Sequence, residues 1–295
     1  MIESAGGVLA IVLRFVALTA TTGTLGAWAV SRLVATRFDA EGNTAPRLAM
    51  RTLARHAALW CLAMLALSAF ARLSLPVASA PDAVGGASSI AAIGTPWGTT
   101  LLAQGIIAAV TFAVLLRSAP VRAWPLAGEC GVALLAFIPP FLAHAGSASE
   151  LRAAAVFVDL LHGAAAGGWV GALAIVTIAA ARADAPARAI AILGAFHPVA
   201  VIAAPTVFVT GLITAWLRMG VPVGIASPTY SGLFVAKLLL VGITGFIGAG
   251  HSKLATRKVP VAALGAVRRT LAAECAFALL VLVITAVLVG TAPIG

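Results

Sequence analysis

Charge is what this sequence has least of. Only 9% of its 295 residues are Asp, Glu, Lys or Arg, and the acidic ones number nine. A soluble domain carries about 25% charged residues, so this chain cannot build a water-facing surface of ordinary extent. Methionine is scarce as well. Beyond the first residue there are only Met50, Met64 and Met219, which argues against a path lined by clustered thioethers for a soft monovalent ion. The three cysteines, Cys61, Cys130 and Cys275, each sit inside an apolar run; they offer no extracytoplasmic disulfide framework and are expected as reduced thiols. The P-loop, the G-x-S-x-G elbow and H-E-x-x-H are missing, which excludes an ATP-driven pump within this chain and makes the expectation that of a non-enzyme. The N-terminus lacks a basic n-region and a small-residue cleavage site, with Glu3 as its first charge and Arg14 inside an apolar run, so the first span is expected to be retained.

What the chain has instead is apolar length. Hydrophobic residues make up 62% of it and the mean hydropathy is +1.09, values that belong to integral membrane proteins. A hydrocarbon core about 30 Å thick is crossed by roughly 20 apolar residues in a helix. Eight such stretches occur, near 7–31, 50–71, 98–117, 122–143, 152–181, 188–217, 229–250 and 270–290. Runs such as AFALLVLVITAVLVG satisfy their backbone bonds within one helix, and the ten-residue alternation of a β-barrel is not seen. The expected fold is therefore all-α, a polytopic transmembrane bundle of about eight helices forming a single membrane domain over residues 1–295. The long connection ARLSLPVASAPDAVGGASSIAAIGTPWG reads as a loop with a short interfacial helix.

A net charge of +10 suggests nucleic acid at first sight, but the basic residues flank spans rather than forming a patch, and no nucleic-acid partner is expected. They set topology instead. Arg32, Arg37, Arg47, Arg51 and Arg55 crowd the first connection, Arg117 and Arg122 the third, Arg182 and Arg188 the fifth, and Lys253, Arg257, Lys258, Arg268 and Arg269 the seventh. The even connections hold only Arg72, Arg152 and Arg218. Fourteen against three assigns the odd connections to the cytoplasm and both termini to the periplasm.

Against this background the ionisable residues inside spans stand out, because each costs about 2.5 to 3.5 kcal/mol to insert. In FVDLLHGAAAGGWVGAL, counting inward from Arg152 at about 1.5 Å per residue puts Asp159 roughly 10 Å and His162 roughly 15 Å deep. Three residues apart, they share a face, and Trp169 extends that stripe. Gly163, Gly167 and Gly171 form a neighbouring stripe that admits a second helix backbone, as expected of a central helix. Upstream, Pro139 and Pro140 in FIPPFLAHAG are expected to break span 4 just before His144. His144, Asp159 and His162 are then an outward candidate metal site, since two imidazoles and a carboxylate suit Cu(II), Zn(II) or a similar ion. The other reading is that Asp159 and His162 bond each other and only fix packing.

A second polar group lies toward the cytoplasm: His56 and Cys61 in span 2, Glu129 and Cys130 in span 4, Glu274 and Cys275 in span 8, with His197 and His251 near the inner ends of spans 6 and 7. Thiolates favour Cu(I) and carboxylates relay protons or release metal, which makes the first six an inward candidate site. The alternative is packing, with cysteines as small hydrophobes and Glu274 paired to an arginine of the seventh connection. Arg14 and Lys237 are read as neutralising a carboxylate or snorkelling. Haem held between two of the five histidines His56, His144, His162, His197 and His251 is the competing cofactor reading.

The segment FHPVAVIAAPTVFVTGLITAWLRMGVPVGIASPTYSGLFVAKLLLVGITGFIGAGHSKL resembles the copper resistance D (CopD/PcoD) family. The resemblance runs through Thr210, Gly211, Trp216, Pro222, Tyr230 and Lys237. Span 5 is similar to that family's histidine-tryptophan-glycine helix through His162 and Trp169, AHAG aligns His144, and Glu274 matches a glutamate early in the last helix. Departures are Ala172, where the family usually has glycine, His251, where it often has asparagine, and Pro198 after His197. The resemblance implies a multi-pass protein of the bacterial inner membrane that transports copper, as Cu(I) or Cu(II), from periplasm to cytoplasm in copper homeostasis or resistance. It also implies a periplasmic copper-binding protein of the copper resistance C type as partner, beside the lipid bilayer itself. A quinone-linked redox protein or an accessory subunit of a membrane complex are the alternatives.

Overall fold

Apolar runs of this length leave the backbone one way to pair its donors and acceptors without water, and each run becomes a helix. The computed structural model describes residues 5–38, 44–74, 93–118, 124–144, 152–183, 185–219, 227–255 and 264–291, and no strand occurs among them. Helix α1 spans Ala5–Ala29 and continues through a π segment, Val30–Val34, into a 3-10 turn, Ala35–Phe38. Helices α2 (Thr44–Ser74), α3 (Pro96–Arg117) and α4 (Leu126–His144) follow. The fifth span is α5 (Arg152–Ala166), a π segment (Gly167–Gly171) and α6 (Ala172–Ala181). The last three are α7 (Pro186–Met219), α8 (Pro228–Ala255) and α9 (Leu264–Leu288).

Seven of these spans are long and apolar enough to cross a membrane, and Leu126–Leu142 within α4 is a shorter apolar eighth. The polytopic helical bundle read from hydropathy is thus what the chain forms. Where helix ends differ from the apolar runs, they do so on the basic side: α2 starts at Thr44 and α9 at Leu264, each carrying arginines on helical turns beyond the hydrophobic stretch. The loop between α2 and α3 falls largely outside the described residues. At its far end Thr95 caps α3, accepting from the Gly98 amide at 3.0 Å ahead of Pro96 at the first helical position.

One expectation fails. Pro139 and Pro140 do not break α4, which runs through them to His144. Proline's fixed φ is itself helical, so what the pair removes is two backbone donors near the helix end rather than the helix.

α1 and the fifth span are the two inner helices, each touching most of the others. They meet backbone to backbone: a Cβ added at Gly171 would fall 2.1 Å from the Thr22 carbonyl oxygen, and one at Gly26 would fall 2.1 Å from the Gly171 carbonyl carbon. Gly167 backs onto the Leu25 side chain, whose Cβ would lie 2.3 Å from one added there. The glycine stripe therefore works as expected at two of its three positions. Gly163 faces open space, being one turn beyond the point where the helices diverge.

Candidate functional site

On the opposite side of the fifth span, α5 faces α7 through a ladder of polar side chains. Thr206, Thr210 and Thr214 recur every four residues on α7 and so share a face. Thr214 Oγ1 donates to Asp159 Oδ1 at 2.9 Å, and Thr210 Oγ1 lies 3.0 Å from His162 Nδ1. The Thr210 hydroxyl hydrogen is already directed at the Thr206 carbonyl. Toward the ring Thr210 is therefore an acceptor, and the imidazole donates to it through Nδ1–H. That is the form of histidine that binds metals, its other nitrogen held by an outer partner. Gly211 completes the seat, since a Cβ there would stand 3.2 Å from His162 Cε1. The threonine-glycine pair on α7 is thus shaped around the half-buried ring of α5.

Asp159 and His162 are accordingly placed on one face and each is held by α7. Their third proposed companion, His144, ends α4, but its side chain lies outside the described residues, as does that of His251. The signal that pointed to the threonine ladder was present in the sequence as the four-residue spacing of Thr206, Thr210 and Thr214, and sequence reasoning missed it.

Deeper along the same helices, α7 carries Pro198 and Pro205 within its length. Each removes a helical donor, so the carbonyl four residues earlier loses its partner. Beside Pro205 a cavity of about 290 Å³ opens between the π segment and helices α7, α8 and α9. Its walls are mostly aliphatic and aromatic, and its two ionisable groups are His197 and Glu274, with Trp169 at the fifth span. Glu274 is 2% exposed, and its carboxylate packs where Gly248 has no side chain: a Cβ there would lie 2.8 Å from Oε1. The imidazole of His197 has no hydrogen-bond partner among the described residues. Sequence placed Glu274 in the inward group on span 8 and His197 near the inner end of span 6; their shared cavity depends on four spans meeting, which spacing along one chain does not reveal.

The remaining inward candidates do not come together, and among the described residues no three His, Cys, Asp or Glu side chains form a metal-holding group. Glu129 pairs with Arg32 across α4 and the end of α1. Cys130 is exposed. Cys61 Sγ packs against Gly23 of α1, 2.5 Å from where a Cβ there would sit, and Cys275 Sγ lies 3.3 Å from Thr177 Oγ1. His56 lines a separate cleft at the basic end of the bundle. Arginines of that end serve helix termini: Arg55 donates to the Leu115, Leu116 and Ser118 carbonyls, and Arg268 to those of Ala180 and Ala183. Arg268 thus caps α6. On α1, the Arg14 guanidinium lies against Gly290 beyond α9. Nor do His162 and His197 share a depth. Thr210, which holds His162, is thirteen residues from His197 on α7, about 20 Å along the axis, unlike the two axial ligands of one haem.

Fold and site together define a multi-pass membrane protein with imidazole and carboxylate side chains inside its bundle. Residues 190–288 match the model of the CopD family, copper resistance protein D, so over that segment the chain is similar to the family. The matched segment covers most of α7, all of α8 and α9, and includes Thr210, Gly211, His197 and Glu274; His162 and Trp169 lie outside it. No curated protein and no solved structure matches the chain.

Proposed function

We propose that the chain carries copper across the bacterial inner membrane from periplasm to cytoplasm, in copper homeostasis or resistance, and performs no catalysis. Asp159 and His162 form the outward capture pair, joined by His144 from the end of α4. The cavity of His197 and Glu274 is a second station beyond Trp169. The observation that carries this reading is that α7 holds both side chains side by side, His162 through Thr210 and Asp159 through Thr214. A carboxylate beside it matches a borderline divalent ion, and the family match over α7 to α9 supplies copper as cargo. A periplasmic copper-binding protein of the copper resistance C type is the proposed donor.

Uptake into proteoliposomes is the test. Copper should accumulate, zinc should not compete at equal concentration, and vesicles without protein should stay empty. No copper accumulation with correctly folded protein would end the transport reading. Orientation is tested separately by labelling in intact cells with the native cysteines replaced. A reporter cysteine at Ala255 should resist an impermeant reagent and one at Ser147 should react.

A further inference from the structure

At the basic end of the bundle several arginines have an internal task. Arg32 pairs with Glu129, while Arg55 and Arg268 cap the ends of α3 and α6. Arg182 differs. It is exposed, and its guanidinium makes no hydrogen bond or ion pair among the described residues. It lines a cleft of about 440 Å³ between α2, the end of α6 and the start of α7. The floor is apolar, with Met50, Leu53 and Ile192, and the polar rim carries His56, Arg182 and Arg188. Among the described residues no acidic side chain lines it. Arg51, between the lining residues Met50 and Thr52, has a buried Nε without an acceptor. α7 begins at Pro186 beside the cleft, so the positive end of its dipole adds to the same field. An apolar trough under a cationic rim, at the depth where the helices leave the hydrocarbon, is complementary to one kind of molecule.

We propose that this cleft binds an anionic phospholipid of the adjacent leaflet, its phosphate between Arg182 and Arg188 and one acyl chain along the floor. A zwitterionic lipid brings its own ammonium into the same field and gains less. Free phosphate gains the charge contact but leaves the floor empty. The site is independent of copper and of the capture pair.

The test uses the full-length protein in detergent, stripped of lipid and titrated with phosphatidylglycerol, phosphatidylcholine or inorganic phosphate. The readouts are melting temperature and retained adducts in native mass spectrometry. Phosphatidylglycerol should raise the melting temperature saturably and give a one-lipid adduct, and the other two should not. Arg182→Gln should weaken that binding about fivefold, and Ala49→Trp, at an exposed lining position, should block it. Arg117→Gln, an exposed arginine near the same end but outside the cleft, should leave it unchanged. Both test substitutions change exposed side chains, so folding is not at stake. The proposal is overturned if inorganic phosphate reproduces the stabilisation, if Arg117→Gln weakens binding as much as Arg182→Gln, or if Ala49→Trp binds lipid as the unmodified chain does.

Discussion

The fifth span meets α1 on one side and α7 on the other, and the two contacts are built in opposite ways. Toward α1 there are no side chains at the point of closest approach, only Gly26, Gly171 and the Thr22 carbonyl. Toward α7 the contact is made of hydroxyls, an imidazole and a carboxylate, then a cavity beside a proline. A backbone-to-backbone seam has no rotamers with which to yield, whereas side-chain contacts beside a void do. One wall of the helix is fixed and the other is adjustable, and every metal-ligand type residue of this span is on the adjustable one.

The largest effect should come from spoiling the fixed wall. Gly171→Val places carbon inside the van der Waals shell of Thr22 and should destabilise the protein by about 3 kcal/mol or more, read as lost expression and a collapsed melting temperature. Gly163→Ala, in the same stripe but facing open space, should be neutral or stabilising by up to about 1 kcal/mol. Equal behaviour of the two variants would erase the distinction between the walls.

On the adjustable wall, His162→Ala should abolish high-affinity copper binding and uptake while costing only about 1 kcal/mol of stability from the lost bond to Thr210. A destabilised protein that still binds copper would make His162 a packing residue. Thr210→Val keeps the shape but removes the acceptor for Nδ1–H. Copper affinity should fall about ten- to a hundredfold, and Thr210→Ser should restore most of it. The smallest change is expected from Gly248→Ala, whose methyl would press on the Glu274 carboxylate. Uptake should slow a fewfold with little change in copper affinity at the outward pair; an equal loss at both would mean that the cavity and the pair are one site.

Hydropathy made the spans legible because membrane helices need length and apolarity and little else. It overstated what prolines do, since Pro139 and Pro140 lie inside a helix they were expected to end. The three-residue spacing correctly put Asp159 and His162 on one face. It was silent on their partners, because Thr210 and Thr214 are about fifty residues away in sequence and only the folded bundle brings α7 alongside. The inward group was read from shared depth alone. Depth says nothing about azimuth, and Cys61, Glu129 and Cys275 turn toward α1, Arg32 and Thr177 respectively.

The π segment at Gly167–Gly171 is what one surplus residue leaves behind in a helix. Each residue advances an α-helix by about 100°, so α5 and α6 are out of phase by about that angle relative to an unbroken rod. Without the slip, the face that sets Asp159 and His162 against α7 could not coexist with the face that sets Thr177 against Cys275 of α9. Removing one residue between Gly167 and Gly171 would therefore act as a gear change. Either the α5 half keeps its partners and α6 turns away from α9, or the α6 half holds and Asp159 and His162 rotate off their threonines. Because α1 carries a similar slip at Val30–Val34, the two inner helices are each tuned to two sets of neighbours at once.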